Sequence, residues 1–64
     1  MSFNKYIEQL REDLDDIIMY SEKKGNADFI LYRIRDDLDD KDPFVCYYAC
    51  LTAPYLIQEK KVIH

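Results

Sequence analysis

Residues 42–54 read DPFVCYYACLTAP, and this stretch decides the architecture of the chain. An aspartate at the N-cap followed by a proline at the first helical position is a strong start signal, so a helix is predicted to begin at Asp42-Pro43. From Phe44 to Ala53 the sequence is apolar on nearly every side, which is typical of a helix that is buried on every side. Two other short helices can hardly cover it. Part of this third helix is therefore predicted to contact another chain.

Pro54 interrupts this helix in the sequence. Proline has no N–H to donate to the carbonyl of Cys50, and its ring collides with that carbonyl. The third helix is therefore predicted either to kink at Pro54 or to split there, with Thr52 as the N-cap of a new helix. Residues 55–61 are predicted to form a last helical stretch, and residues 62–64 are predicted to fray.

The segment from about Asn4 to Lys24 carries a helical stripe of apolar side chains. Alternating steps of four and three residues place them on one face of a helix: Phe3, Ile7, Leu10, Leu14 and Ile17. Ser2 is the predicted N-cap. Gly25, the only glycine in the chain, is predicted to end this helix at the C′ position in the left-handed conformation.

A second helix is predicted to begin directly after this glycine, with Asn26 as its N-cap and Asp28 in its first turn. Its apolar side chains keep helical spacing: Ala27, Leu31, Ile34 and Leu38. Residues 29–32, FILY, could alternatively form a strand, because aromatic and β-branched residues are concentrated there. The stripe that continues to Leu38 favours a helix. The short turn at 25–26 predicts an antiparallel hairpin.

The predicted fold class is therefore all-α: a small three-helix bundle in which an antiparallel hairpin packs with an apolar third helix, kinked or split at Pro54. The chain has 64 residues and is predicted to be one helical domain over 1–64. A domain of this size buries only about 60% of its unfolded surface, so disulfides, a metal or a second copy usually stabilise it.

The two cysteines, Cys46 and Cys50, are predicted to be free, buried thiols in a reducing compartment. On a helix their Cβ atoms would lie about 5–6 Å apart, whereas a disulfide needs about 3.8 Å. The N-terminal sequence MSFNKYIEQL lacks the apolar core of a signal peptide, and no run of about 18 apolar residues exists. The predicted location is cytoplasmic, without membrane binding.

The acidic residues form two blocks within a chain of net charge −4. The predicted partner-binding acidic face consists of Glu12, Asp15, Asp16, Asp36, Asp37, Asp39 and Asp40. The second block lies at the C-terminal end of the second helix, where the helix dipole disfavours carboxylates by roughly 0.3–1 kcal/mol each. Arg33, Arg35 and Lys41 are candidates to offset this. A solvated surface and a site for a basic partner are the two interpretations of these blocks.

The two blocks also resemble each other in sequence. Residues 10–16 read LREDLDD and residues 34–40 read IRDDLDD, with the shared pattern apolar, Arg, acid, acid, Leu, Asp, Asp. The match is too short to establish a repeat, since repeat arrays need longer and more copies. It does place an acidic block on each of the first two helices.

The tyrosines and the third helix predict an oligomer interface. Six of the 64 residues are tyrosine, which is favoured in interfaces because it combines apolar area with one polar tip. Tyr47 and Tyr48 point in different directions on one helix, so they cannot both face the same core. The predicted interface residues, which would join two copies as a homodimer, are Phe44, Tyr47, Tyr48, Leu51 and Tyr55.

No catalytic, cofactor or metal site is predicted. A cysteine nucleophile needs a base held beside it, and the only histidine, His64, is the last residue. Zinc needs about four ligands in suitable spacing, and the D-x-D segments near residues 37–42 lack the glycine and the glutamate of a calcium loop. The chain lacks a P-loop and a catalytic-serine motif. An enzyme is not expected.

The sequence instead predicts a small acidic binding protein. The leading interpretation is an inhibitor or regulator that occupies a basic surface of a partner protein, with imitation of nucleic acid as one way of doing so. Direct nucleic-acid binding is not expected from an acidic chain. One alternative is a nucleotide sponge or sensor at an oligomer interface, near Lys5, Tyr6, Arg33 and Arg35. Another is a structural subunit of a larger complex. The general type resembles compact acidic inhibitors, such as immunity proteins and phage-encoded anti-defence proteins.

Overall fold

The chain folds as three helices in the computed structural model, which describes residues 3–26 and 28–62. The helices are α1 (Phe3–Lys23), α2 (Phe29–Leu38) and α3 (Pro43–Val62), and each contacts the other two. The described residues contain no strand, and the FILY segment is the first turn of α2. The prediction of an all-α three-helix bundle is confirmed.

The core lies where the three helices meet. Leu14, Leu31 and Ala53 are fully enclosed, one from each helix. The buried residues together are Leu10, Leu14, Ile18, Leu31, Leu38, Ala49, Cys50, Ala53 and Ile57. Small residues at 49, 50 and 53 let α3 approach the hairpin closely, and this leaves the larger side chains of α3 on its other face.

The turn between α1 and α2 is a Schellman motif, which confirms the prediction for Gly25. This glycine has a φ of 71°, its N–H donates to the carbonyl of Glu22, and the N–H of Asn26 donates to the carbonyl of Ser21. The predicted N-cap of α2 was wrong. Asn26 closes the end of α1, and Asp28 caps α2 by accepting a hydrogen bond from the N–H of Ile30. Ala27 and Ser2 lie outside the described residues.

The start of α3 agrees with its prediction, because the Asp42 carboxylate accepts a hydrogen bond of 2.9 Å from the N–H of Phe44. The predicted restart at Thr52 was wrong. One helix runs from Pro43 to Val62 with Pro54 inside it, and the Thr52 hydroxyl donates to the carbonyl of Tyr48 one turn earlier. Ala49, Ala53 and Ile57 are buried on both sides of Pro54. Continuous packing against the hairpin therefore outweighs one lost backbone hydrogen bond. Residues 62–64 were predicted to fray; Val62 is the last residue of α3, and residues 63–64 lie outside the described residues.

Candidate functional site

Two reciprocal ion pairs join α1 to α2. The Arg11 guanidinium lies 2.6 Å from the Asp39 carboxylate, and the Arg35 guanidinium lies 3.2 Å from the Asp15 carboxylate. The two pairs connect the early part of one helix to the late part of the other, as an antiparallel hairpin requires. All four side chains are at least one-third exposed, so each pair is worth at most about 1 kcal/mol.

The residues of the two ion pairs occupy equivalent positions in the two similar segments, residues 10–16 and 34–40. Arg11 and Arg35 occupy the second position of the two seven-residue segments, and Asp15 and Asp39 occupy the sixth position. The arginine of each segment binds the aspartate of the other. The hairpin is therefore approximately two-fold symmetric in its charges across this surface.

The structure brings together most of the predicted acidic face, with one exception. Asp36 lies 3.8 Å from the same Arg35 that binds Asp15, and Asp40 accepts a hydrogen bond from the N–H of Asp42. Asp37 is two residues from both Arg35 and Asp39, which is about 200° around a helix, so it points to the side of α2 opposite the ion pairs. We call the remaining surface the acidic seam; it comprises Glu12, Asp15, Asp16, Asp36, Asp39 and Asp40, with Arg11 and Arg35 between them.

A row of carboxylates adjoins the ion pairs along the outer side of α1. Glu8, Glu12 and Asp16 are exposed and follow one another at four-residue steps, which are about 6 Å along a helix. Within the described residues their side chains make no hydrogen bond or ion pair. Glu12 and Asp16 belong to the acidic seam, and Glu8 extends it along α1. Among the described residues, no arginine forms an ion pair with any of these three carboxylates.

Sequence reasoning missed Arg11. Arg35 was expected to offset the acidic block at the end of α2 and does so, whereas Arg33 and Lys41 make no ion pair in the described part of the chain. Arg11 takes their place, and its Nε atom is buried without a hydrogen-bond partner. The shared Arg position of the two similar segments was the only signal that could have identified it.

A second surface lies on α3, on the face turned away from the core. It is formed by Phe44, Tyr48, Leu51 and Tyr55, which we call the α3 stripe. Their exposed fractions are 74%, 66%, 50% and 76%. Steps of four, three and four residues place these side chains within an arc of about 60° on the helix. No charged residue occurs from 43 to 58.

The two tyrosines at 47 and 48 are both exposed. Tyr47 flanks the stripe, and its ring lies edge-on to that of Tyr48, with 6.1 Å between centroids. Tyr48 lies with Leu51 on an exposed face of α3, whereas Cys50 and Pro54 lie on the face of Tyr47. This second face is divided, because Cys50 is buried and Tyr47 is exposed.

The cysteines are free thiols, as predicted, with Cys50 buried and Cys46 half-buried. Burial, together with the neighbouring Cys46 thiol, raises the pKa of Cys50 and keeps it protonated and unreactive at neutral pH. The Cys46 thiol donates a 3.5 Å hydrogen bond to the carbonyl of Leu38. Among residues 3–26 and 28–62, no three metal-ligating side chains come together.

The residues named for a nucleotide-like ligand do not form one cavity. Lys5 and Tyr6 line an open depression on α1 together with Glu8, Gln9 and Glu12. Another depression, of about 350 Å³, lies between the start of α1 and the end of α2, and its acidic lining residues are Glu8, Asp39 and Asp40. Neither Arg33 nor Arg35 lines either depression, and carboxylates in both would repel a phosphate group.

Two further polar contacts tie the helices together. The Tyr32 hydroxyl donates to the Glu22 carboxylate, and this hydrogen bond raises the pKa of Tyr32. The Lys60 ammonium lies 2.8 Å from the Asp28 carboxylate, so the start of α2 is joined to the end of α3. The hydrogen bond to Asp28 raises the pKa of Lys60.

The acidic seam and the α3 stripe lie on opposite sides of the bundle. α3 packs against both α1 and α2, so the seam between those two helices opens away from α3. The stripe is on the outer face of α3, opposite the buried Ala49, Ala53 and Ile57. The seam comes nearest to the stripe at Asp40, whose carboxylate accepts a hydrogen bond from the N–H of Asp42 just before α3.

Comparisons of this chain with protein-family models, curated proteins and solved structures find no match. In the part of the chain that the structure describes, none of the helices is both long enough and apolar enough to cross a membrane.

Proposed function

We propose that this protein is a non-enzymatic inhibitor or regulator that uses the acidic seam to occupy a basic surface of a partner protein. The observation that carries the proposal is the row of Glu8, Glu12 and Asp16, which is exposed and makes no ion pair with any described residue, beside the carboxylates that the two arginines pair with. Such a surface attracts a basic partner over long range and accelerates encounter.

The energetics of the row support a binding role over a solvated surface. Like charges four residues apart on a helix are destabilising by about 0.2–0.5 kcal/mol per pair, and the row contains two such pairs. In a domain this small the loss is a noticeable part of the total stability. A basic partner surface would convert this repulsion into intermolecular attraction.

The same arrangement is consistent with nucleic-acid mimicry. The seam presents carboxylates from two antiparallel helices across one surface, and a nucleic-acid-binding protein has a basic site for regularly spaced phosphates. We propose that the partner's basic surface is such a site. The setting we propose is the cytoplasm, where Cys46 and Cys50 would remain reduced.

The experiment is affinity capture from a lysate of the source organism with wild-type protein and a Glu12→Lys/Asp16→Lys variant. Both side chains are exposed, and neither makes a hydrogen bond or an ion pair with another described residue, so the variant should keep the circular dichroism spectrum of the wild type. The captured partner should be lost with this variant. If the same partner is retained, the acidic seam is only solvated surface.

A matched control is Glu59→Lys, which changes an exposed carboxylate on α3, away from the seam. It alters the net charge in the same direction and should leave capture intact. Mimicry is then tested on the captured partner, because duplex DNA should displace it from the immobilised protein. A partner that binds DNA and this protein simultaneously would exclude mimicry and leave only acidic recognition.

We also propose that the protein self-associates through α3. Phe44, Tyr47, Tyr48, Leu51 and Tyr55 are all half or more exposed. Tyrosine-rich, uncharged helix faces are typical of the centres of protein interfaces. Light scattering across a concentration series tests this, and a strict monomer at all concentrations would contradict it.

A further inference from the structure

We infer that two copies of the chain pair their α3 helices in antiparallel orientation, so that Phe44 packs against Tyr55 of the partner subunit and Tyr48 against Leu51 of the partner subunit. This inference rests on the self-association proposed above and adds its geometry. The α3 stripe has heptad spacing, which favours two helices crossing at a shallow angle of about 20°.

The exposed area of the stripe fits a second copy. Aromatic side chains present about 150–250 Å² each when fully exposed, so the four side chains of the stripe and the flanking Tyr47 together present roughly 600 Å². Over two copies this is about 1,200 Å², the lower end of the range for specific interfaces and above the roughly 1,000 Å² expected of a biological one. The total accessible surface of the chain is 5043 Å². The stripe is therefore about as large, relative to the molecule, as a typical dimer interface.

The charges at the two ends of α3 select the orientation. Residues 39–42, before the helix, contain three aspartates and one lysine, whereas residues 59–61, at its end, contain one glutamate and two lysines. A parallel pair would place the two aspartate-rich ends side by side, and these would repel each other. An antiparallel pair instead brings each aspartate-rich end, of net charge −2, towards residues 59–61 of the other copy, of net charge +1, in which Lys60 already pairs with Asp28 of its own chain. It also opposes the two helix dipoles.

The register of the two α3 helices follows if the dimer has two-fold symmetry. A two-fold axis midway along the stripe relates residue 44 to residue 55 and residue 48 to residue 51, so each aromatic side chain meets the stripe of the other copy. Such an interface is self-complementary, as in most homodimers. It leaves both acidic seams exposed on the two outer sides of the dimer, where they could bind two basic sites at once.

Sedimentation equilibrium tests the existence of the dimer. Wild-type protein should dimerise with a dissociation constant in the micromolar range, as expected on the order of magnitude for a small interface. Tyr48→Lys and Leu51→Glu should each weaken the dimer by at least about tenfold, with unchanged helicity by circular dichroism. Phe29→Lys changes an equally exposed aromatic residue on α2 and should have no effect. Dissociation by Phe29→Lys, or a monomeric wild type, would overturn the inference.

Combining the substitutions tests the orientation. In the antiparallel register, the Tyr48→Lys/Leu51→Glu double variant places opposite charges against each other twice, so the double variant should dimerise again. In a parallel register it would place like charges together and stay monomeric. The parallel alternative instead predicts that a mixture of Tyr48→Lys and Tyr48→Glu chains forms a heterodimer. That result, or a monomeric double variant, would refute the antiparallel pairing.

The two proposals can fail separately. Glu12→Lys/Asp16→Lys should leave sedimentation unchanged, because the seam lies on the opposite side from α3. Loss of partner capture with an intact dimer, or loss of the dimer with intact capture, therefore identifies which surface was interpreted correctly.

Discussion

The acidic seam and the α3 stripe are exposed on the same small bundle, yet different forces govern them. The seam is built from charges. Some of them are paired across α1 and α2, and others form no ion pair within residues 3–26 and 28–62. The stripe contains no charge, and its side chains were displaced to the outside because small residues occupy the inner face of α3. The hairpin therefore presents charges, whose interactions act over long distances, whereas α3 presents apolar side chains, which interact only on contact.

This division predicts a large difference between two identical substitutions. Leu31 is completely buried beneath both surfaces, whereas Leu51 is half exposed on the stripe. Leu31→Ala should lower the free energy of unfolding by about 2–5 kcal/mol, because it leaves a cavity at the junction of the three helices. Leu51→Ala should lower it by less than about 1 kcal/mol in dilute, monomeric protein.

Urea denaturation followed by circular dichroism at low protein concentration measures both values. An equal loss for the two variants would mean that the α3 stripe is part of the folding core. In that case it would not be available as a separate surface.

The second prediction is that binding at the acidic seam and self-association through α3 depend differently on salt concentration. Binding of poly-lysine to the seam should weaken by more than about tenfold between roughly 50 and 500 mM NaCl, since exposed charges are screened over about 4 Å at the higher concentration. Self-association through α3 should change by less than about twofold, because apolar burial does not depend on screening. Fluorescence anisotropy of labelled poly-lysine and sedimentation equilibrium provide the two measurements.

The Glu12→Lys/Asp16→Lys variant is the control for the first measurement. It should bind poly-lysine weakly at every salt concentration. A dimer that dissociates in high salt would contradict the assignment of apolar contact to α3.

The helices and their apolar faces were predictable from the sequence because they depend on local spacing. The stripe of α1, the Asp42-Pro43 start and the conformation of Gly25 all follow from neighbouring residues. The errors arose where two local signals compete. Asn26 and Asp28 are both good N-cap residues. The N–H of Asn26 is used in the Schellman motif that ends α1, so Asp28 caps α2.

The continuity of α3 and the ion pairs of the seam depend on tertiary contacts. Thr52 and Pro54 resemble a helix boundary locally, but burial of Ala53 and Ile57 holds one helix together. Arg11 reaches Asp39 only because of the register between α1 and α2, which no single helix encodes. Exposure of the α3 stripe was predictable from its length and composition, whereas the exclusion of Asp37 from the seam was not.

The contact between Asp28 and Lys60 joins the hairpin to α3 and can be tested in two steps. Asp28→Ala removes both the N-cap of α2 and the ion pair and should lower the free energy of unfolding by about 1 kcal/mol. Asp28→Asn keeps a capping side chain and should be less destabilising. Thermal unfolding of the two variants beside the wild type measures the difference.

The pH dependence of this contact has a definite sign. The pKa of Lys60 is raised in the folded protein above its ordinary value of 10.5. Its contribution is therefore fully present at pH values below 10.5 and is lost as the pH rises through the raised pKa. The difference between wild type and Asp28→Asn should shrink in strongly alkaline solution. A difference that is unchanged there would show that the capping geometry alone distinguishes the two proteins.

The smallest predicted effect concerns the two ion pairs of the seam. A double-mutant cycle with Arg11→Ala and Asp39→Ala should give a coupling energy of at most about 1 kcal/mol. The cycle with Arg35→Ala and Asp15→Ala should give a similar value, because the two pairs are reciprocal and comparably exposed. A coupling energy near zero in both cycles would mean that the arginines do not stabilise the hairpin and serve only to space the carboxylates. In that case the arginine variants should keep the fold and bind a basic partner more tightly than wild type, since removing either guanidinium makes the seam more negative.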